Sequence, residues 1–404
     1  MNILLAVTGS ISAYKTYDVT REFVKAGHKV KIILTNGALE FIKANTFSYL
    51  GAQDVYTAED DFNTHKNQGK VLHINLKDWM DILVIAPASA NTIAKISNGL
   101  CEDLLGSVFL SAQEKSILIF PAMNTQMYLN PITQKNIKIL EELKNTFIHP
   151  PQEGLLACGE EGIGKLPELQ TIFDITTTLS KRETGRKILI TTGPTTVPID
   201  PVRFLTNASS GKTGYELSKK YLSQGCNVVL IHGPNCSFPK YSLLQHPRYQ
   251  QISVSTTDEM YKAVQEHFTE SDVYISSAAI SDFKFNPLDS KLKKDSTNPS
   301  LQFEWSVDIL KEMINRKTNQ KIISFAAETN DLANNFKRKW ERKPVDLLVG
   351  NQVAHGQTDG VARGFAADEN TYYLVEKGEI SFQKEMSKKD LATYICHYTE
   401  DTHD

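Results

Sequence analysis

Short apolar runs alternate with longer amphipathic stretches along almost the whole chain, and this alternation restricts the fold more than any other feature. In the first half the runs are Ile3–Val7, Val30–Leu34, Ile82–Ala86 and Ile117–Phe120, and Ser12–Lys25 is a typical helical stretch between them. Apolar runs separated by helices are typical of strands buried on both faces of a parallel sheet. We therefore predict a doubly wound α/β fold, in which ligands bind at the carboxyl ends of the strands.

A second alternation of the same kind follows the polar stretch Thr176–Lys187, in which no apolar period continues after Leu179, so we interpret this stretch as a linker. Beyond it a helix is predicted over Lys212–Ser223. Strands are predicted at Ile188–Thr192, Val228–Ile231, Val273–Ser277, Ile322–Phe325 and Leu347–Val349, with a terminal hairpin of Tyr372–Val375 and Ile380–Gln383. A chain of 404 residues, at ~150 per domain, suits two or three domains, and we place two at 1–178 and 187–404.

The charge balance and the cysteine content exclude several classes of protein. Lysine plus arginine is 44 and aspartate plus glutamate is 47, a net charge of −3, which argues against a nucleic-acid or membrane-surface protein. No apolar run approaches the ~20 residues of a membrane span, and Met1–Ser10 is interpreted as a first strand, not a leader. The cysteines are few and scattered, which indicates a reducing, cytoplasmic setting: Cys101, Cys158, Cys226, Cys236 and Cys396.

Small and hydroxylated residues follow several strands of the first half. The first turn, Thr8–Ser12, combines a glycine with hydroxyls and leads into a helix, which favours an anion. Because no GxGxxG motif is present, a mononucleotide phosphate is indicated and a dinucleotide is not. Similar residues follow the next strands at Leu34–Gly37, Ala86–Thr92 and Pro121–Met127. Several such turns at one edge form a site, although the first turn alone is equally compatible with an ordinary capped βα turn.

Three residues of the first half are candidates for chemistry. His73 lies among apolar neighbours, where a histidine has either a structural or a catalytic role. Asn124 either binds a carboxylate or caps its turn. Cys158 lies in a stretch with three glycines in six residues, which predicts a mobile flap whose thiol can deliver a proton; a buried, inert cysteine is the alternative.

The first half resembles the flavin-dependent cysteine decarboxylases over roughly residues 1–175. The resemblance depends on Gly9–Lys15, the His73 segment, Pro121–Met127 and Ala157–Glu160. It implies a flavodoxin-like trimeric fold that binds FMN. It also implies that His73 is a catalytic base or orienter, that Asn124 holds the substrate carboxylate and that Cys158 donates a proton. The implied FMN contacts are Gly9, Ser10, Ser12, Thr35, Ser89, Asn91, Thr92 and Met123. The chain departs from the family at Glu160 and at Lys165-Leu166, where aspartate and arginine-methionine are usual.

The second half has its densest motif at Thr191–Gly214. Three prolines stiffen this strand-to-helix loop, which ends in Asn207–Gly214. GxxxxGK[ST] is not matched, because Thr206 stands where its first glycine is required, so a Walker A loop is rejected. Two basic clusters follow, at Lys291–Lys294 and Lys337–Lys343. Each is compatible with a solvated face, but lysines converging from separate segments also suit a triphosphate.

This half resembles the CTP-dependent phosphopantothenate–cysteine ligases from about Arg186 to Tyr398. The motifs are Thr192–Thr195, Ile199–Arg203, Asn207–Lys212, Phe325–Asn330 and Asp346–Val349. The resemblance implies that Arg203 and Asn207 bind substrate and that Asn207 and Lys291 act on an acyl-cytidylate. The implied CTP contacts are Ser277, Ala278, Ala279, Asp282, Lys291, Val307, Asp308, Ile309, Leu310, Phe325, Lys339 and Lys343. Two departures are Ser306-Val307 in place of asparagine-proline, and Gly350–Val353 in place of alanine-asparagine-aspartate-valine.

In this order the two halves resemble the bifunctional coenzyme A biosynthesis proteins. The resemblance implies CTP-dependent joining of cysteine to 4′-phosphopantothenate, followed by FMN-dependent decarboxylation to 4′-phosphopantetheine. Activation by CMP transfer makes the carboxylate an electrophile, and lysines with Mg2+ stabilise the triphosphate charge. The flavin provides a temporary oxidation that lets CO2 leave, and the net reaction is not a redox reaction. The implied assembly is a homo-oligomer with decarboxylase trimers and ligase dimers, an arrangement that a dodecamer satisfies.

Three alternatives stay open at this level. An FMN- or NAD-linked oxidoreductase predicts a GxGxxG motif and an acidic ribose partner, and neither is found. A non-catalytic flavin-binding or nucleic-acid-associated module is distinguished by titration with CTP and then with an oligonucleotide. The last alternative is a protein with one active half, since related flavin decarboxylases act on peptide C-terminal cysteines and a prenylating relative exists.

Overall fold

A computed structural model of the chain describes residues 1–62, 71–112, 114–157, 159–239, 242–293, 301–352 and 369–400. Its contacts divide the chain into two units. The first contains Met1–Lys181, and the second contains Arg182–Lys240 and His246–Asp404. Each unit has its own sheet and its own apolar core.

The first unit is built on a parallel sheet. Its strands are β1 (Asn2–Val7), β2 (Lys29–Leu34), β3 (Asp54–Thr57), β4 (Ile82–Ala88), β5 (Ser116–Pro121), β6 (Thr146–Ile148), β7 (Gln152–Leu155) and β8 (Glu161–Lys165). Its helices are α1 (Thr16–Lys25), α2 (Asn36–Leu39), α3 (Ala44–Tyr49), α4 (Leu72–Trp79), α5 (Ala90–Ser97), α6 (Leu104–Ser111), α7 (Thr125–Leu129), α8 (Pro131–Glu141) and α9 (Leu169–Leu179), with 3-10 helices at Ile11–Lys15 and Ala58–Phe62.

The strand order of the main sheet is β3-β2-β1-β4-β5-β6, and all of its pairs are parallel. The chain moves outward from β1 in one direction and then returns to the other side of β1 with β4. This reversal opens a crevice at the carboxyl ends of β1 and β4, where such sheets bind ligands. Every residue of β4 is buried, as a strand covered by helices on both faces requires. The hairpin β7–β8 pairs antiparallel outside the main sheet.

The second unit repeats this arrangement and extends it. Its strands are β9 (Lys187–Thr192), β10 (Thr196–Pro198), β11 (Phe204–Thr206), β12 (Asn227–His232), β13 (Tyr249–Ser253), β14 (Val273–Ser276), β15 (Phe283–Lys284), β16 (Glu304–Trp305), β17 (Lys321–Glu328), β18 (Leu347–Gln352), β19 (Glu369–Glu376) and β20 (Glu379–Ser387). Its helices are α10 (Lys212–Ser223), α11 (Thr257–Phe268), α12 (Ile309–Arg316), α13 (Leu332–Arg342) and α14 (Lys388–Glu400).

The main sheet of the second unit has the order β13-β12-β9-β14-β17-β18-β19-β20. Its first six strands are parallel, and the terminal hairpin adds two antiparallel strands at one edge. The chain reverses between β9 and β14, so the second crevice lies at their carboxyl ends. The sheets confirm the predicted pair of doubly wound, mostly parallel Rossmann-like folds.

Some local predictions were wrong. Helix α9 continues to Leu179, so the segment that separates the last helix from β9 is shorter than the polar run suggested. The helix predicted over Ser12–Lys25 begins as a 3-10 helix and becomes an α-helix only at Thr16. The edge strands β3, β6 and β13 were not predicted. These strands are short or rich in polar residues, because an edge strand needs little apolar surface.

Candidate active sites

The carboxyl ends of β1 and β4 are joined by one buried hydroxyl. Thr8 Oγ1 donates to the carbonyl of Pro87 at 2.7 Å and accepts from the backbone N–H of Ser89 at 2.9 Å. Thr8 is fully buried, so these bonds replace hydration that the hydroxyl has lost. The Ser89 turn is thereby held beside the first turn of the chain.

The turn after β2 also lies at the carboxyl end of β1. The Thr35 N–H donates to the carbonyl of Val7 at 3.1 Å. A Cβ at Gly9 would lie only 3.1 Å from the backbone of Gly37, so the two turns touch through glycine backbones. This close approach explains why glycine is needed at both positions.

Two helix N-termini present donors at this crevice. Ser10 caps the 3-10 helix and accepts from the N–H of Ser12 at 3.4 Å. Ser89 caps α5 and accepts from the N–H of Thr92 at 3.3 Å, while Asn91 between them is exposed. Hydroxyls, amide N–H groups and helix N-termini are the donors that bind a phosphate. The donor set therefore fits the phosphate of a mononucleotide such as FMN.

The turn after β5 carries Asn124 to the adjacent position. The Ala122 N–H donates to the carbonyl of Ala88 at 3.0 Å, which joins this turn to the end of β4. Asn124 caps α7 by accepting from the N–H of Gln126 at 2.9 Å, and its Nδ2 donates to Glu160 at 3.2 Å. Both alternatives for Asn124 are therefore compatible with its position, since a capping asparagine still offers its amide N–H groups.

The hairpin β7–β8 packs against this turn. The Met123 N–H donates to the carbonyl of Gly164 at 3.0 Å. A Cβ at Gly164, whose φ is +152°, would overlap the Met123 carbonyl oxygen, and one at Gly162 would lie 2.5 Å from Thr125 Oγ1. These glycines are needed for close packing, a reason different from the mobility that the sequence suggested. Cys158 lies outside the described residues.

His73 lies on α4 and not after a strand. Its Nδ1 is 3.2 Å from Asp61 Oδ1, and Asp61 Oδ2 accepts from Ser107 Oγ at 3.2 Å. The Asp61 side chain is 7% exposed and that of His73 is 29% exposed. A carboxylate only accepts, so Nδ1 carries the proton and Nε2 of the neutral ring is left as an acceptor. Sequence reasoning missed Asp61, which is 12 residues from His73 in an acidic run without a motif.

The second unit has a cavity of about 320 Å3 at the carboxyl ends of its strands. The structure brings eleven of the twelve predicted CTP contacts onto its wall: Ser277, Ala278, Ala279, Asp282, Val307, Asp308, Ile309, Leu310, Phe325, Lys339 and Lys343. The Thr191–Gly214 motif joins them through Thr192, Ser209, Ser210, Gly211 and Thr213. The twelfth, Lys291, does not line this cavity and is exposed.

The turns after β9 and β14 run side by side along the cavity. Ser277 Oγ donates to the carbonyl of Thr191 at 2.6 Å, and the Ala279 N–H donates to the carbonyl of Gly193 at 2.8 Å. Asn207 Nδ2 donates to the carbonyls of Ala279 and Ile280 at 3.1 and 3.2 Å. Asn207 is thus positioned by two residues of the cavity wall.

Two of the lysines that line the cavity are paired with carboxylates. Lys339 Nζ is 2.6 Å from Glu328 Oε1, and Lys343 Nζ is 2.6 Å from Asp308 Oδ2. Asp308 also caps α12 by accepting from the N–H of Lys311 at 3.1 Å. An ammonium has three N–H donors, so each lysine can bind a phosphate oxygen and keep its carboxylate partner.

The terminal hairpin and the first residue of α14 contribute residues that sequence reasoning missed. Asn370, Tyr372 and Lys388 line the cavity and are 8%, 3% and 6% exposed. Burial raises the pKa of the Tyr372 phenol, which stays neutral. Asn370 and Tyr372 are two residues apart, so the sequence indicates that they lie on one face of a strand. This spacing does not indicate which edge of the sheet the hairpin joins, so it could not place them at the cavity.

The structure gives a reason for one departure from the ligase pattern. A Cβ at Gly350 would overlap the ring of Phe336, which is fully buried. The glycine on β18 therefore fits the aromatic residue on α13. At the other departure, Val307 lines the cavity, and the Ser306 N–H donates to the carbonyl of Asp282 at 2.8 Å.

Two features are absent from the part of the chain that the structure describes. In this part of the chain no three histidine, cysteine, aspartate or glutamate side chains gather as ligands for a metal ion. Among the same residues no helix has both the length and the apolar character to cross a bilayer.

Two family models match the chain in order. The one described as "Flavoprotein" matches residues 1–181, and the one described as "DNA/pantothenate metabolism flavoprotein C-terminal domain" matches residues 183–402. The coenzyme A biosynthesis bifunctional protein CoaBC of Bacillus subtilis (strain 168) is 38% identical over 98% of this chain and 95% of its own length. The protein of the same name from Haemophilus influenzae is 34% identical over 98% and 96%.

Solved structures are similar to each half separately. A cysteine-to-serine mutant of a PPC decarboxylase complexed with pantothenoylaminoethenethiol is 35% identical and covers 43% of this chain and 95% of its own, with a TM-score of 0.39. The C-terminal domain of a coenzyme A biosynthesis bifunctional protein is 29% identical over 54% and 95%, with a TM-score of 0.42. Identity above 30% over nearly the full length shows that the chain belongs to the family of coenzyme A biosynthesis bifunctional proteins, enzymes with a decarboxylase half followed by a ligase half.

Proposed function

We propose that the second unit joins cysteine to 4′-phosphopantothenate at the expense of CTP, and that the first unit decarboxylates the product to 4′-phosphopantetheine with bound FMN. The observation that carries this proposal is the full-length family match, with both halves present in one order. The product of one half is the substrate of the other, which gives a chemical reason for their fusion.

In the first unit, FMN when bound supplies the reversible oxidation that makes loss of CO2 feasible. The Ser10 and Ser89 turns would hold its phosphate, together with Ser12, Thr35, Asn91 and Thr92. Gly9 would let the backbone approach it, and Met123 would contact it from the turn after β5. Asn124 would donate to the substrate carboxylate. His73, with its Nδ1 proton held by Asp61, would accept a substrate proton at Nε2.

Cys158 is proposed as the acid that returns a proton to the decarboxylated product. Of the described residues on either side of it, Leu156 donates its N–H to the carbonyl of Glu160 at 2.8 Å. Asn124 donates to the Glu160 side chain, so Glu160 is tied to the proposed carboxylate site. A Cys158→Ser variant should release an enethiol-type product and spare the ligase. Unchanged formation of 4′-phosphopantetheine would argue against this role.

In the second unit, Lys339 and Lys343 would bind the triphosphate, and the carboxylates of Asp282 and Asp308 on the same wall would hold its Mg2+. The substrate carboxylate attacks the α-phosphorus, pyrophosphate leaves, and the cysteine amine then displaces CMP. Asn207 and Lys291 would stabilise the acyl-cytidylate, and Arg203 would bind the anionic substrate. A Lys291→Gln variant should form no acyl-cytidylate and should keep the flavin spectrum, and normal CMP release would contradict the assignment.

We also propose that the protein is a cytoplasmic homo-oligomer, with trimeric contacts through the first unit and dimeric contacts through the second. Large apolar side chains are exposed on both units. Tyr49 and Ile132 are 90% and 71% exposed on the first, and Trp305 and Val202 are 77% and 60% exposed on the second. Light scattering of the purified chain, coupled to size-exclusion chromatography, measures the assembly directly.

The test of the whole proposal is mass spectrometry of the products formed from 4′-phosphopantothenate, cysteine and CTP. We expect 4′-phosphopantetheine, CMP, pyrophosphate and CO2. Accumulation of 4′-phosphopantothenoylcysteine would show an active ligase with an inactive first half. A purified chain that binds no flavin and produces neither compound would refute the proposal.

A further inference from the structure

Asp200 is a fully buried carboxylate outside the cavity of the second unit. It lies in the loop between β10 and β11, and its side chain is 0% exposed. No role was assigned to it by the sequence analysis beyond membership of the Ile199–Arg203 motif. A buried carboxylate is costly unless it is satisfied by donors, so its partners indicate its role.

Asp200 joins two segments that are about 90 residues apart in the chain. Its Oδ1 accepts from the N–H groups of Val202 and Arg203 at 2.7 and 2.8 Å, which forms a local turn. Its Oδ2 accepts from the N–H of Leu292 at 3.0 Å. Arg203 Nη1 is 3.3 Å from the same Oδ2.

A second bond holds the same two segments together. The Leu288 N–H donates to the carbonyl of Ile199 at 2.9 Å. We call Leu288–Lys293 the Lys291 segment. Two backbone donors of this segment therefore bind the loop that contains Asp200, and Lys291 lies directly before Leu292.

The charge of Asp200 is stabilised in this position. Burial raises the pKa of the carboxyl group. The N–H groups of Val202, Leu292 and Arg203, together with the Arg203 charge, lower the pKa by more than burial raises it, so the net shift is downward. An ionised carboxylate offers only acceptors. It can therefore satisfy the local turn and the Leu292 N–H at the same time.

The hairpin that contains Asp200 reaches the cavity at its other end. Thr206 Oγ1 donates to the carbonyl of Thr195 at 3.0 Å, and the next residue, Asn207, donates to Ala279 on the cavity wall. The Lys291 segment is thus bound to an element that is itself fixed to the cavity.

We infer that Asp200 is a positioning residue for the ligase reaction, which holds the Lys291 segment and Arg203 in a fixed arrangement beside the cavity. This inference rests on the proposed function of Lys291. It assigns to Asp200 no contact with substrate.

The substitution Asp200→Asn separates the two sets of bonds. Asparagine keeps one side-chain oxygen for the turn at Val202 and Arg203, but it places an NH2 group against the Leu292 N–H. A hydrogen bond to a charged acceptor is more stabilising than one to a neutral acceptor, and Asp200→Asn removes such a bond at Leu292. We therefore expect the rate of pyrophosphate release from CTP and 4′-phosphopantothenate to fall about tenfold or more. Asp289→Asn is the matched control, because Asp289 is an exposed carboxylate in the same segment.

A double-mutant cycle tests whether Asp200 acts through Lys291. If it does, Asp200→Asn adds little to the loss caused by Lys291→Arg, which keeps the positive charge and so a rate to measure, whereas a general loss of folding stability would multiply with it. Hydrogen–deuterium exchange of the peptide containing Leu292 should also accelerate in Asp200→Asn and not in Asp289→Asn.

The outcomes distinguish this inference from the proposed function. A wild-type chain that releases no pyrophosphate, or a Lys291→Gln variant as fast as wild type, refutes the proposed ligase role and the positioning role that rests on it. A normal rate, additive losses or unchanged exchange at Leu292 in Asp200→Asn overturns the positioning role alone.

Discussion

The contact between Gly164 and the Asn124 turn offers a direct test of how the first unit is built. Gly164 is buried on β8, where its φ is +152° and its carbonyl accepts from the Met123 N–H at 3.0 Å. A Cβ at this position would lie 3.3 Å from the Met123 carbonyl carbon, with the oxygen of that carbonyl facing it. Alanine at position 164 therefore cannot fit without movement of one backbone.

The size of the effect follows from this geometry. The carbonyl oxygen of Met123 faces the added methyl group, so it lies closer to that group than the carbonyl carbon does, by about one C=O bond length or roughly 1.2 Å. A normal C···O contact is ~3.3 Å, so the oxygen lies far inside that distance. The strand must therefore retreat by about 1 Å from the Asn124 turn. Misplacement of about 1 Å costs on the order of 100-fold in rate when it separates catalytic groups. We expect Gly164→Ala to reduce decarboxylation of 4′-phosphopantothenoylcysteine about 100-fold.

Gly154→Ala is the matched control for this prediction. Gly154 lies in the partner strand β7 with a φ of +147°, but the nearest atom to its Cβ is Lys165 Cδ at 3.8 Å. Both variants introduce the same backbone strain, of order 1–3 kcal/mol, and only Gly164→Ala introduces the overlap. The assay is the rate of CO2 release, with ligase activity measured in the same sample. Equal loss in the two variants, or parallel loss of ligase activity, would refute the packing argument.

Three further predictions concern other parts of the chain. Gly350→Ala should destabilise the second unit by about 1–3 kcal/mol in urea unfolding, because its Cβ overlaps the Phe336 ring; the double variant with Phe336→Leu should recover part of this loss, and an unchanged unfolding midpoint for Gly350→Ala would be evidence against the overlap. Burial lowers the pKa of His149 in the folded chain, although its bond to the Pro150 carbonyl acts in the opposite direction. Below pH ~6.5 the unfolded chain therefore binds more protons at this residue than the folded chain does, and the free energy of unfolding falls as the pH drops through that value. His149→Gln should lose less stability than wild type between pH 7.5 and pH 5.5, and equal losses would show that His149 is not responsible. Asp61→Asn should slow decarboxylation about tenfold or more and change the ring tautomer of His73, which is measured by its 15N shifts. The control Asp78→Asn removes an exposed carboxylate on α4, the helix that carries His73, and should change neither. An unaltered His73 spectrum in Asp61→Asn would contradict the pairing.

The alternation of apolar runs was sufficient to predict both sheets, because strands covered on two faces must be apolar along their whole length. The helix Lys212–Ser223 was predicted at its observed bounds, since its start and end are set by local turn residues. The edge strands β3, β6 and β13 were missed, because they lie where burial is incomplete and leave little hydrophobic pattern.

The candidate residues divide in the same way. The cavity residues 277–279 follow β14 directly, and Phe325 lies in the second half of β17, so the sequence placed them at the carboxyl edge of the sheet. Asp61, Asp200 and Lys388 could not be found in this way, because only the tertiary fold brings each of them to its site. The close packing at Gly162 and Gly164 was also not predicted, since mobility and close packing favour the same residue.

The sequence by itself determined the fold class, the two catalytic halves and most of the residues around each crevice, because period, turn chemistry and motif are local properties. Only the tertiary structure decided that Asp61 pairs with His73, that Gly164 packs against Met123 and that Asp200 holds the Lys291 segment. Such pairings depend on which loops meet when the sheets form, and no local pattern encodes a distance between segments far apart in the chain.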